Sequence, residues 1–103
     1  MKKIGPLSID LIVACKIYEF HKNKQVVEYG NLVSSLIGLV SKSAVSSSLI
    51  TLSNWGIIGS EFCETKAGRV GRTYSISGEA FTMVKETYDQ YWQKVLTYRH
   101  SAV

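Results

Sequence analysis

Apolar positions along the chain fall into four helical stretches and one strand-turn-strand stretch, separated by polar or glycine-bearing breaks. After a short tail closed by Gly5-Pro6, a first helix is expected over 8–21, with Ser8 as N-cap and Asp10 complementing the helix dipole. Ile9, Ile12, Val13, Ile17 and Phe20 share one face, and Leu11, Ala14, Cys15 and Tyr18 line another. A helix apolar around most of its circumference is buried on two sides. In so short a chain the second side is expected to meet a partner subunit. A polar loop from His21 to Lys24 leads to a very short strand over 25–28. A second helix over 29–37 would turn Leu32, Val33, Leu36 and Ile37 inward and end at Gly38, free to take positive φ.

The third helix is expected over 41–55, capped by Ser41 or Ser43. Val45, Leu49 and Leu52 stack on its inner side, with Ala44, Ser48 and Trp55 at the margin. Ser43, Ser46, Ser47, Ile50 and Asn54 collect on the opposite side, and Gly56 closes the helix. A strand over 57–64 would point Ile58 and Phe62 inward and Glu61 and Cys63 outward; a returning strand over 72–77 would point Tyr74 and Ile76 inward. The final helix, 79–99, carries Phe81, Val84, Tyr88, Tyr91, Val95 and Tyr98 at alternating spacings of three and four, broadened by Trp92 and Leu96. About 20 helical residues reach roughly 30 Å, more than a domain this small covers with its own core. Phe81 and Val84 are therefore expected to be intramolecular, and Tyr88, Tyr91, Trp92, Val95 and Tyr98 to form a dimer seam.

The chain has 103 residues, 46% of them hydrophobic, which suits one domain over 1–103 with one core. Its α+β, mostly α pattern contains no apolar run near the roughly 20 residues of a membrane span, and no cleavable leader pattern. A cytoplasmic protein is expected. Residues 1–78 hold nine Lys/Arg against five Asp/Glu, whereas residues 79–103 hold three of each, so the net +4 lies entirely in the first part. Lys66, Arg69 and Arg72 cluster between Thr65 and Ser75, where there is no acid. Cationic loops of this kind meet phosphates or the minor groove of DNA.

Short hydroxyls on one helix face permit close approach and hydrogen bonding to phosphates or base edges, and Ile50 among them suits a thymine methyl group. The bland alternative is a solvated serine face beside an ordinary hairpin turn. Cys15 and Cys63 form no CxxC, and His21 and His100 stand at no ligand spacing, so neither a metal nor another cofactor is expected. Reduced thiols are the expectation for both cysteines, with a disulfide within or between subunits as the alternative if the source is a hyperthermophile. No nucleophile-base constellation and no phosphate-loop motif is present, which argues against an enzyme.

The order of helix, short strand, two helices, β-hairpin and long helix resembles winged helix-turn-helix proteins of the MarR-like type. The residues that carry the likeness are Gly38-Leu39, Ser41-Lys42-Ser43-Ala44-Val45-Ser46, Leu49, Leu52 and Trp55-Gly56-Ile57-Ile58, followed by 68–77 as wing and returning strand. In length the chain is nearer to small PadR-like and archaeal or archaeal-virus winged helices. It departs from the MarR pattern in Val40, one extra residue in the turn, and in Lys42, the only cation on the third helix. The resemblance implies a homodimeric transcriptional regulator on double-stranded DNA, with the third helix in the major groove and the wing at the minor groove. The DNA contacts would then come from Lys42, Ser43, Ser46, Ser47, Ile50, Asn54, Lys66, Arg69, Arg72 and Thr73. Some relatives sense peroxide through a first-helix cysteine, the position Cys15 would match. The competing readings are an architectural protein that coats duplex without sequence choice and a winged-helix module that binds another protein.

Overall fold

The computed structural model describes the backbone of residues 3–4, 7–64 and 70–101 and the side chains of residues 8–62 and 71–92. Its elements in chain order are β1 (Lys3–Ile4), β2 (Leu7–Ser8), α1 (Ile9–Lys22), α2 (Tyr29–Ser35), α3 (Lys42–Asn54), β3 (Ile58–Glu64), β4 (Val70–Ile76) and α4 (Phe81–Ser101). The stretch read as a tail carries a miniature antiparallel pair, with Ile4 opposite Leu7. β3 and β4 form the antiparallel wing, with Ile58 opposite Ile76 and Phe62 opposite Arg72. The expected strand over 25–28 is reduced to a single bridge between Glu28 and Thr73, reinforced by the Tyr74 amide donating to the Val27 carbonyl at 3.0 Å.

Helix ends are set by local chemistry. Ser8 Oγ accepts from the Leu11 amide at 3.3 Å, and Ser41 Oγ accepts from the Ala44 amide at 3.2 Å, so Ser41 and not Ser43 caps α3. At the end of α3 the Gly56 amide donates to Ser53 and the Ile57 amide to Leu52, a Schellman closure with Gly56 at φ +72°. α1 ends in the same way, its Lys24 and Gln25 amides donating to His21 and Phe20. There the left-handed residue is Lys24, at φ 57°, where no glycine marks it in the sequence.

α2 stops at Ser35, two residues before the expected end, and Gly38 at φ +83° carries the turn. Ile37 is consequently outside the helix and 71% exposed, which corrects its assignment to the inner side. Leu36 and Val40 are buried in its place, and the Val40 amide closes back onto the Leu36 carbonyl at 2.9 Å. The extra residue of the turn is thus a plug in the core.

The core joins Ile12, Val13, Cys15 and Ile17 of α1 with Leu32, Leu36, Val45, Leu49, Leu52, Ile58, Val84 and Trp92. Full burial of each such aliphatic side chain contributes on the order of 1.5–3 kcal/mol. α1 packs against α3, α4 and β4 of its own chain, so Ala14, Cys15 and Tyr18 are buried without any partner. The expectation that a partner subunit covers the second side of this helix is corrected accordingly. Trp55, expected at the inner margin of α3, faces solvent. Phe62 does lie on the same ladder face as Ile58, but the strand has run past the helical body there, and its ring is 72% exposed. The inward assignment of Phe62 fails for that reason.

α4 is docked on α1 by an aromatic and carboxylate cluster. Tyr18 lies 5.7 Å from Phe81 and 5.0 Å from Tyr88 between ring centroids, and Tyr88 stacks on Trp92 at 5.6 Å. Glu19 Oε2 accepts from the Tyr88 hydroxyl at 2.9 Å and from Trp92 Nε1 at 3.1 Å, while Oε1 accepts from Lys16. Trp92 is 3% exposed, so this part of the expected dimer seam belongs to the chain's own core. Tyr88 and Tyr91 are half-buried beside it, and the side chains of Val95 and Tyr98 lie outside the described residues. Among the described residues no helix is long and apolar enough to cross a membrane.

Candidate nucleic-acid interface

The inner stripe of α3 anchors it: Val45, Leu49 and Leu52 are buried, and Ser48 with them. What remains outward is the opposite face, where Lys42, Ser43, Ser47, Ile50 and Asn54 are exposed. Ile50, 64% exposed, is an aliphatic group with no place in the core. Ser43 Oγ lies 3.4 Å from Ser41 Oγ, and Thr51 Oγ1 donates to the Ser47 carbonyl at 3.1 Å.

Ile50 and Asn54 of this face border a groove of about 380 Å³ between α3, the start of α2 and β4. Ser46, Leu49, Ile50, Ser53 and Asn54 form one wall, Tyr29 an end, and Arg72 and Tyr74 the other wall. Four of the residues expected at DNA (Ser46, Ile50, Asn54 and Arg72) therefore meet in one depression. Among the described residues the groove carries one cation and no acid, and Glu61, which pairs with Thr73, alternates to the other face of the ladder. Thr73 does not line this groove. Lys66 and Arg69 lie outside the described residues.

Ser46 is half-buried, and its Oγ stands 2.7 Å from the Tyr29 hydroxyl, with either able to donate. The hydroxyl expected to read DNA is thus also tied to the first turn of α2. Burial pushes the Tyr74 phenol above its ordinary range, against the opposing pull of the Arg72 charge. The Arg72 guanidinium lies 4.8 Å from the centroid of the Phe62 ring. At the base of the wing Ser77 Oγ donates to the Gly56 carbonyl at 2.7 Å, fixing the hairpin to the end of α3.

Tyr29, Ser53 and Tyr74 line the groove, and Phe62 touches its Arg72, none of which the sequence pattern reveals. Tyr29 and Ser46 are 17 positions apart, with no periodicity linking them. Among the described residues the lining includes no His, Cys, Asp or Glu, and so no acid-base pair or metal-ligand set. It offers hydroxyls, an amide, a guanidinium and one aliphatic surface, the chemistry of phosphate and base-edge contacts. Cys15 is fully buried in α1, where burial first and the Glu19 charge second push its thiol up to about 12. A thiol so held is protonated and poorly nucleophilic, which argues against a peroxide-sensing role for it.

No protein-family model matches the chain, and no curated protein does. Among solved structures, a cysteine-to-serine mutant of ZitR from Lactococcus lactis superposes with TM-score 0.65 at 20% identity, over 97% of this chain and 62% of that one. ZitR itself, described as a zinc-responsive MarR family member, gives TM-score 0.63 at 18% identity, over 96% of this chain and 62% of that one. The chain thus spans about three fifths of the length of the ZitR structures. A PadR-like transcriptional regulator from Bacillus cereus gives TM-score 0.63 at 18% identity, over 89% of this chain and 90% of that one. With four helices, an antiparallel β-hairpin and these neighbours, the chain has the winged helix-turn-helix fold of PadR-like and MarR-family transcriptional regulators.

Proposed function

We propose that the chain is a dimeric, sequence-specific transcriptional regulator that binds double-stranded DNA, with α3 in the major groove and the wing at the minor groove. The observation that carries this reading is the common groove: Ser46, Ile50, Ser53 and Asn54 of α3 and Arg72 of the wing line one depression that holds no acid among the described residues. The neighbours in fold are transcriptional regulators, not enzymes, which supports a non-enzymatic role. Dimerisation would come from the outer part of α4, beyond the Tyr88 and Trp92 contacts with α1, and a two-fold axis would set two α3 helices about 34 Å apart.

Under this reading Arg72 supplies charge, while Ser47 and Ile50 supply choice of sequence. Mobility shifts at low and moderate salt test the division. Arg72→Ala should weaken binding on every duplex and lower the salt slope by about 1. Ser47→Ala and Ile50→Ala should change the ranking of duplexes. Equal losses on all sequences for both sets would defeat it. The single cation of α3, Lys42, favours one competing reading, an architectural protein that coats duplex without preference. Binding that ranks no duplex above another would establish that alternative, and absence of binding at either salt would favour a protein-interaction module.

A further inference from the structure

We infer that Phe62 is a positioning residue that holds Arg72 ready for a phosphodiester anion; the inference rests on the DNA-binding reading above. Among the described residues of the wing, Phe62 is a large apolar side chain that the core does not explain. Ile58, four ladder positions earlier on the same face, is buried, whereas Phe62 is 72% exposed. Its partner across the ladder is Arg72, whose guanidinium lies over the ring at 4.8 Å from the centroid. Arg72 is at the same time a wall residue of the groove that contains Ser46, Ile50 and Asn54.

An arginine side chain is long, and ordering it on binding carries a substantial entropy cost. A ring held against the guanidinium restricts those rotamers before any ligand arrives. The ring is no conventional hydrogen-bond acceptor, so guanidinium N–H donors remain for a phosphate. The ring is too exposed to act as a core side chain, and it is placed directly across from Arg72, a cation lining the groove. Phe62 therefore raises affinity through Arg72 without needing a DNA contact of its own. An exposed cation–π pair corresponds to about a two- to five-fold effect on an equilibrium constant.

The test uses the whole chain and one fixed duplex, comparing wild type with Phe62→Leu, Phe62→Tyr, Arg72→Ala and the double variant Phe62→Leu/Arg72→Ala. In the free protein, the Arg72 Nε–H proton resonance should carry a ring-current shift in wild type and Phe62→Tyr that Phe62→Leu loses. In fluorescence-anisotropy titrations, Phe62→Leu should bind about two- to five-fold more weakly with an unchanged salt slope, and Phe62→Tyr should restore wild-type affinity. Arg72→Ala should lower the slope by about 1, and adding Phe62→Leu to it should cost nothing more. Binding by Phe62→Leu as tight as wild type overturns the inference alone. So does a further loss in the double variant, which would mean that the ring itself touches DNA, or failure of Phe62→Tyr to restore binding. A wild-type chain that binds no duplex overturns the DNA-binding reading and this inference together.

Discussion

Replacing Glu19 should undock α4 more than any surface charge of this chain would suggest. Its carboxylate accepts from the Tyr88 hydroxyl at 2.9 Å, from the Trp92 indole at 3.1 Å and from Lys16 on its own helix. Trp92 is almost wholly buried, so Glu19→Ala leaves its N–H without an acceptor, at a cost of about 1–3 kcal/mol. The half-buried Tyr88 hydroxyl can turn to water and adds less, about 0.5–1 kcal/mol, while the Lys16 pair adds little. The expected destabilisation is about 1.5–4 kcal/mol, measured by urea unfolding at fixed protein concentration. Trp92→Phe removes the orphaned donor, so Glu19→Ala should cost about 1–2 kcal/mol less in that background. Equal costs in the two backgrounds, or a single-variant loss under about 0.5 kcal/mol, would refute the reasoning.

The same group sets a pH dependence. Burial pushes the Glu19 carboxyl up, but the hydrogen bonds from Lys16, Tyr88 and Trp92 and the Lys16 charge outweigh it and hold the group below its ordinary value of 4.5. A carboxyl lowered on folding contributes stability that is complete above that value and is lost as the pH falls through the folded one. The gap in stability between wild type and Glu19→Gln should therefore be full at neutral pH and shrink on acidification below 4.5.

Three other outcomes can be checked separately. Cys15 should resist alkylation in the folded protein at about pH 8 and react only in denaturant, since its thiol is buried and held near 12; rapid labelling of native Cys15 would contradict the packing of α1. Lys24→Gly should raise stability by roughly 0.5–1 kcal/mol in thermal melts, because a left-handed conformation costs a side-chain-bearing residue more than glycine loses in entropy; a lower melting temperature would count against the Schellman closure of α1. Tyr29→Phe should cost about 0.5–1.5 kcal/mol of stability and, by releasing the Ser46 hydroxyl, alter which duplexes bind best; unchanged stability and preference would remove Tyr29 from the interface.

Local chemistry is the part of this molecule most legible in its sequence. The spacing of Val45, Leu49 and Leu52 identifies the buried side of α3, and Gly38 and Gly56 mark turns because both take positive φ. Periodicity says that a face is buried but not what buries it. That is why the second side of α1 and the Tyr88-Trp92 seam are easily assigned to a partner: Glu19 meets Tyr88 and Trp92 from 69 and 73 positions away. Alternation likewise puts Phe62 on the correct face of β3 but cannot show that the strand has already outrun the helical body. Lys24 carries no signal at all, since only its backbone amide and those beside it make the turn. At the groove, the outward face of α3 follows from helical spacing, whereas Tyr29, Tyr74 and the Phe62-Arg72 pair arise from elements that only the folded chain brings together.

Selection of bound sequences from a pool of random duplex DNA, carried out with wild type and with Ile50→Ala, tests the central claim most directly. The account predicts a roughly palindromic motif with half-site centres about one helical turn apart. It also predicts that Ile50→Ala loses preference at symmetry-related base pairs while keeping the half-site spacing. A pool that shows no enrichment with the wild-type protein, or an identical motif from both proteins, would contradict it.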